Sequence, residues 1–325
     1  MYREACNQIK KSNSVLLVSH VYPDGDAIGS TVAMGAALKG MGKSVTMYNE
    51  DGVPPAYRFL PLSDQVVNSI DDVGDYDLAV ILDCSKIERV GVISEPVKSV
   101  PTIINIDHHC SNEEFGAVCL VNCNACATAE IVYYLIKEMG IEITSDVAYG
   151  IYTGIITDTS SFSFSNTSAE VFDICGEMVR AGVDPEFVAG NVYITYSCER
   201  IKFMRMVLDT FELSENKQLS FMVVTQDMVE KSGMKPENVG RVVNYAKHIE
   251  NVKVSAFAIE EENHSGRLPD GFSNFHVSLR SDGNVDVSKI AVSFGGGGHN
   301  RAAGFNITTT LEGLHDTIMG LADKL

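Results

Sequence analysis

The chain has 325 residues, 45% of them hydrophobic, and carries 25 Lys plus Arg against 43 Asp plus Glu, a formal net charge of −18. This composition excludes a collagen-like chain, a low-complexity disordered chain and a disulfide-stapled miniprotein, and its apolar content suffices for one large core or two smaller ones. The acidity argues against a coat for long duplex DNA, which needs a basic face, but not against a short nucleotide held through divalent cations that reverse the local sign.

In chain order, the polar, basic stretch from Met1 to Lys11 lacks a signal-peptide hydrophobic region and cleavage site, and no apolar run approaches a membrane span. A soluble cytoplasmic protein is expected, with its 8 cysteines as reduced thiols. Residues 14–19 (SVLLVS) form a short Val/Leu-rich run of the kind found in buried parallel strands. The spacing of Ile28, Val32, Met34, Ala37, Leu38 and Met41 predicts a helix over 26–41, stopped by Gly42. Strands are expected at 44–48, 77–83, 102–107 and 116–121, and an amphipathic helix at 127–140. Strand and helix in alternation imply an α/β fold, a parallel sheet with helices on both faces. From Ser168 to Leu213 the pattern is helical, and after 214–218 the texture changes. Strands are then expected at 219–225, 252–262 and 275–281, helices at 238–251 and 309–325, a helical turn at 287–294 and a polar hairpin loop over 260–275. Cys110, Cys119, Cys123 and Cys126 cluster, but Cys123–Cys126 is a single C-x-x-C without the second pair of a zinc ribbon. All four are expected as ordinary small buried residues.

Acidic and imidazole residues fall where the predicted strands end. The first strand runs into His20, Asp24 and Asp26, the third into Asp83, and the fourth into Asp107, His108 and His109, while Asp158 follows an apolar helical segment. Taken singly, these are turn or cap residues. Together they lie where an open parallel sheet binds ligands, beyond the carboxyl ends of its strands. Asp24, Asp26, Asp83 and Asp158 in one site cannot all ionise without counter-charge. Two divalent cations would supply it, with His20 and His108 as neutral nitrogen ligands. This mixed set suits Mn2+, with Mg2+ or Co2+ as alternatives. A shared carboxylate would set two metals about 3.5–4 Å apart. Further along, Gly295, Gly296, Gly297 and Gly298 could bring backbone N–H groups close to a phosphate, with His299 and Arg301 just after them. Arg280, followed by Ser281, could fork onto a terminal phosphate.

The segments HVYPDGDAIGS (20–30), ILDCS (81–85), IDHHCSN (106–112) and TGIITDTSSF (153–162) resemble the motifs of the DHH phosphoesterase superfamily. GGGGHNRAAGF (295–305) resembles the signature of its C-terminal DHH-associated domain. The pairing is similar to the nanoRNase branch, the oligoribonucleases and adenosine 3′,5′-bisphosphate phosphatases related to RecJ-type exonucleases. The resemblance implies a metal-binding DHH domain over 1–190, a helical connector over 191–216 and a smaller α/β substrate-binding domain over 217–325, with a cleft between the domains. It also implies that His20, Asp24 and Asp83 hold one metal and that Asp26, Asp83, His108 and Asp158 hold the other, Asp83 bridging. His109 would stand near the scissile phosphate with Asp83, and Asp107 would orient the loop or a ligand imidazole. The substrate would meet His276, Arg280, Ser281, the four glycines, His299 and Arg301. Relatives commonly carry Lys in a K-x-S-x-R-S pattern where this chain has His276, which is only partly charged near neutral pH and so grips phosphate less firmly.

The implied activity is hydrolysis, by a metal-bridging hydroxide, of short single-stranded RNA from an end and of adenosine 3′,5′-bisphosphate to AMP. Alternatives are a linear-dinucleotide hydrolase, a RecJ-like single-strand exonuclease, or a nucleotide-binding sensor without catalysis. The net charge of −18 leaves no basic track for long strands. The sequence leaves homo-oligomerisation open.

Overall fold

The middle of the first strand, β1 (Ser14–Ser19), is buried on both sides, with Val15 and Leu17 in one core and Leu16 and Val18 in another. That is the environment of a strand inside a parallel sheet covered on both faces. The structure, a computed structural model, describes residues 2–194, 198–233, 249–261 and 268–325, and it divides into the units Met1–Thr195 and Tyr196–Leu325. The other strands of the first unit are β2 (Ser44–Tyr48), β3 (Val66–Val67), β4 (Leu78–Leu82), β5 (Ile103–Asp107) and β6 (Val118–Val121). All pair in parallel, in the order β3-β2-β1-β4-β5-β6. The expected parallel sheet is therefore present, with the two-residue β3 added at its edge.

One face of this sheet shares its core with α1 (Tyr2–Lys11), α2 (Gly25–Gly40), α3 (Thr128–Met139), α4 (Ser145–Asp158), α5 (Ala169–Arg180) and α6 (Pro185–Ala189). The other face packs on Ile87, Val90, Ile93 and Val97, which lie in short 3-10 turns. Helices α2 and α4 approach very closely. A Cβ on Gly29 would stand 2.5 Å from the Gly150 carbonyl oxygen, and one on Gly154 would stand 2.7 Å from Asp26 Oδ1. Glycine at these positions lets the start of α2, which carries Asp26, meet the end of α4, which carries Asp158.

The second unit contains β7 (Glu212–Leu213), β8 (Leu219–Val224), β9 (Val254–Glu260), β10 (Phe272–Ser281), β11 (Gly297–His299) and β12 (Ala302–Thr310), ordered β11-β12-β10-β9-β8-β7. Only β8 and β9 run parallel. Among the described residues its α-helices are α7 (Cys198–Leu208), α8 (Gln226–Ser232), α9 (Val287–Ser293) and α10 (Leu311–Met319). Phe275, Val277, Leu279 and Phe305 pack on one face against Val287, Ala291, Leu314 and Ile318 of α9 and α10. On the other face Met222, Val224 and Phe257 lie under Phe203 and Val207 of α7 and Val229 of α8. Helix α7 falls within the stretch 191–216 that the sequence reading treats as connector.

The helix expected at 238–251 lies almost wholly outside the described residues. Strand β10 starts at Phe272, so the expected loop over 260–275 shortens to 261–271, of which 262–267 lie outside the described residues. The four clustered cysteines are not uniformly buried as expected. Cys126 is buried and Cys119 partly so, whereas Cys110 and Cys123 stand exposed in the loops that leave β5 and β6. Among the described residues, no helix is long and apolar enough to cross a membrane.

Candidate metal centre

Every sequence-expected acidic and imidazole residue of the first unit lies at the carboxyl edge of its sheet or at a helix end beside it. His20 follows β1 and is 4% exposed. Its Nε2 lies 3.4 Å from Asp83 Oδ2 and 4.0 Å from Asp24 Oδ1. Asp24 caps α2, accepting from the backbone N–H groups of Asp26 and Ala27. Asp26 is fully buried and sits against the start of α3, where its carboxylate accepts from the Thr128 and Ala129 N–H groups at 2.6 and 2.9 Å and from the Ser30 hydroxyl. A helix N-terminus is a favourable place for a carboxylate. Asp83 turns the chain out of β4 with φ +57°, a region that aspartate tolerates better than most residues, and its Oδ1 accepts from Thr128 Oγ1 at 2.9 Å.

His108 Nε2 lies 3.5 Å from Asp158 Oδ2, 3.7 Å from Asp83 Oδ1 and 4.0 Å from Asp26 Oδ2. The two oxygens of Asp83 thus face different partners, Oδ2 toward His20 and Oδ1 toward His108. Asp107 is buried behind the following loop. It accepts from the His108 N–H at 2.9 Å, from His109 Nδ1 at 2.7 Å and from Asn112 Nδ2 at 2.6 Å, which keeps a proton on Nδ1 of His109.

Charge is crowded here. Burial, reinforced by Asp83, Asp158 and Asp24, pushes the Asp26 carboxyl well above its ordinary range. Asp158 is pushed up to about 6, by burial first and by Asp83 and Asp24 against the opposing pull of His108 and His109. Burial acts the same way on Asp83 but is outweighed by the hydrogen bond and charge of His20 and the charges of His108 and His109, so this carboxyl stays below its usual value. His109 is raised to about 9, chiefly by its hydrogen bond to Asp107. Among the described residues only imidazoles pair with Asp24, Asp26, Asp83, Asp107 or Asp158, and no lysine or arginine does so. Three sets of potential ligand atoms lie within 4.8 Å of one another: His20, Asp24 and Asp83; Asp26, His108 and Asp158; and Asp83, His108 and His109. Carboxylates and imidazoles without a cationic side chain to balance them fit divalent cations.

In the second unit the register aligns a row of side chains across five strands. Ser220 opposes Ser255, Ser255 opposes Arg280, Arg280 opposes Ala302, and Ala302 opposes His299. His276, Ser278 and Arg280 alternate with buried Phe275, Val277 and Leu279, so they share the face opposite the α9 and α10 core. Gly297 pairs with Gly304 beside Ser278, and His276 Nδ1 lies 2.6 Å from Asn306 Oδ1. Two expected substrate residues are not in this row. The Ser281 hydroxyl accepts from Gly283 N–H, and the Arg301 guanidinium packs on Gly283. The backbone turns sharply at the glycines, with φ +78° at Gly295 and +139° at Gly298, while Gly296 lies against the Gly304 carbonyl.

The sequence reading missed Thr128, whose hydroxyl and N–H serve Asp83 and Asp26. It also missed Asn112, which holds Asp107, and Asn49, which donates to the His20 carbonyl at 2.8 Å. The one available signal was at Thr128, the second residue of the helix expected over 127–140, in the first turn, where orphan N–H groups attract carboxylates.

Residues 14–155 match the DHH family, N-terminal domain, and residues 218–322 match the DHHA1 domain. The chain is 33% identical over 301 residues to the bifunctional oligoribonuclease and PAP phosphatase NrnA of Thermus thermophilus, spanning 92% of this chain and 85% of that one. It is 26% identical to the protein of the same name from Bacillus subtilis, over 94% of this chain and 93% of that one. The crystal structure of an exopolyphosphatase-related protein from Bacteroides fragilis superposes with a TM-score of 0.85 at 27% identity, covering 98% of this chain and 95% of that one.

Proposed function

The chain belongs to the DHH family, and from that premise we propose that it is a metal-dependent phosphoesterase that shortens very short oligoribonucleotides from an end and converts adenosine 3′,5′-bisphosphate to AMP in the cytoplasm. The observation that carries this reading is Asp83, buried to 2% exposure, its two oxygens divided between His20 and His108 and no cationic side chain paired with it among the described residues. The full-length relatives named as oligoribonucleases and PAP phosphatases support the substrate class.

Two divalent cations, Mn2+ before Mg2+ or Co2+, held by His20, Asp24 and Asp83 and by Asp26, Asp83, His108 and Asp158, would supply Lewis-acid stabilisation of the phosphoryl oxygens and a water of lowered pKa. The chain's own groups do the rest. Thr128 and the α3 N-terminus hold Asp83 and Asp26 in place through hydrogen bonds, which pre-organises the centre. Asp107, anchored by Asn112, takes the Nδ1–H of His109 and keeps that imidazole charged. The Nε2–H is thereby left to meet a phosphoryl oxygen or to protonate the leaving oxygen. The second unit carries its own phosphate-binding groups in this reading, Arg280, His276, His299 and the backbone at Gly295–Gly298, and Ser281 and Arg301 brace the Gly283 turn beside them. With a net charge of −18 the chain has no basic track for long strands, which favours this reading over a RecJ-like exonuclease.

The test is turnover with Mn2+ of the dinucleotide pApA, adenosine 3′,5′-bisphosphate and pyrophosphate. The first two are hydrolysed and pyrophosphate is not. Tight nucleotide binding without turnover would instead make the protein a sensor, and turnover of pyrophosphate alone would refute the substrate class.

A further inference from the structure

Strand β2 lies beside β1 in parallel, with Tyr48 opposite Val18, so residues 49–51 leave the sheet at the same edge as residues 19–22. This brings a polar turn against the loop that carries His20 and Asp24. Asn49 is fully buried, and its Nδ2 donates to Ser19 Oγ at 2.9 Å and to the His20 carbonyl oxygen at 2.8 Å. Asn49 is itself fixed twice. Its N–H donates to the Val67 carbonyl at 3.0 Å, and its Oδ1 accepts from the Asp51 N–H at 3.1 Å.

Asp51 Oδ2 accepts from the Tyr22 N–H at 2.5 Å. Tyr22 has φ +54°, a left-handed conformation that a residue with a Cβ keeps only when its surroundings hold it. Glu50 Oε2 accepts from the Val92 N–H at 2.5 Å, and in the same segment the Arg89 carbonyl accepts from the Val21 N–H at 2.8 Å. The main chain is therefore tied at His20, Val21 and Tyr22 in succession. The other acidic and imidazole residues of the centre are held from elsewhere. Thr128, Ala129 and Ser30 serve Asp26, Thr128 serves Asp83, and Asp107 takes the His108 N–H. The centre thus has two separate supports, one for His20 and one for the residues around His108.

We propose that Asn49 and Asp51 are positioning residues for one ion of the pair: they fix the loop over 20–24 so that His20 and Asp24 meet Asp83, while Glu50 ties the 89–92 segment to the same turn. A ligand carried on a loop keeps its place only as well as the groups behind it hold the loop. The inference rests on the two-cation reading of the centre.

The experiment is a calorimetric titration of the metal-free full chain with Mn2+, for the wild type, Asn49→Asp, Asp51→Ala and Asp51→Asn. Asn49→Asp puts an acceptor where a donor stood. It weakens one ion by about 10- to 100-fold and leaves the other unchanged. Asp51→Ala weakens the same ion by about 2- to 10-fold. Asp51→Asn recovers most of that loss, because an amide oxygen still accepts from the Tyr22 N–H. Asp51 is exposed, so its two variants decide the matter even where Asn49→Asp fails to fold. In a His20→Ala background the effect of Asp51→Ala shrinks, as it must for a residue that acts through His20; a full effect there would contradict the proposal. It is also overturned if Asp51→Ala binds both ions as the wild type does, or if both ions weaken alike, the mark of a general loss of structure. In those cases the wild type still takes up two ions and the phosphoesterase reading stands. A wild type that takes up no Mn2+ removes both.

Discussion

In the first unit Asp26 and Asp83 are 0% and 2% exposed, and each is held by hydrogen bonds from α3. In the second unit the open part of the sheet carries His276, Ser278 and Arg280, all half-exposed, next to Gly304 and Ala302, with no carboxylate among them. The contrast separates two kinds of work. In the proposed function the buried acids, in a fixed frame, would hold cations and act on charge that develops during reaction, where a misplaced group costs rate. The half-exposed Arg280, among small residues, would bind charge that the substrate already carries, which changes KM.

Substitutions can break or sharpen this division. The largest effect is expected at Asp83. Asp83→Ala removes a ligand from both metals and lowers kcat by about a thousandfold or more on every phosphoester substrate. A near wild-type rate at saturating Mn2+ would remove Asp83 from the centre. Asp107→Asn leaves the fold in place but loosens His109, and kcat falls by about 10- to 100-fold with little change in KM; a change confined to KM would move Asp107 out of the reaction. Arg280→Ala raises KM for adenosine 3′,5′-bisphosphate by about 10-fold and changes kcat less. A pure kcat effect there would blur the division between the units. The smallest effect is expected for His276→Lys, which restores a full charge opposite Asn306 and lowers KM by about 2- to 5-fold near pH 7. An unchanged KM would show that this position does not reach phosphate.

Much of the first unit is legible in the sequence because its strands are continuous apolar runs that end in acidic and imidazole residues. Such runs suit strands buried on both faces, and their ends mark the ligand edge. Helix α1 was hidden because its polar surface residues outnumber Ala5, Cys6 and Ile9, the few that reach the core. Strand β12 was hidden because glycine and alanine in 302–304 fill positions where β-branched residues would have signalled a strand. The candidate site was legible in its acidic and imidazole residues but not in the residues that support them. Thr128 serves Asp83 from 45 residues away and Asp26 from 102, and a single contact at such separation leaves no periodic trace. Arg301 sits beside the glycine signature, yet its guanidinium packs on Gly283, a placement that only the strand register reveals.

The account turns on Asp83 being shared by two cations, and a calorimetric titration of the metal-free protein with Mn2+ tests this most directly. Wild type takes up two ions per chain, and Asp83→Asn loses high-affinity uptake of both. Undiminished binding of two ions by Asp83→Asn, or no binding by the wild type, would contradict it.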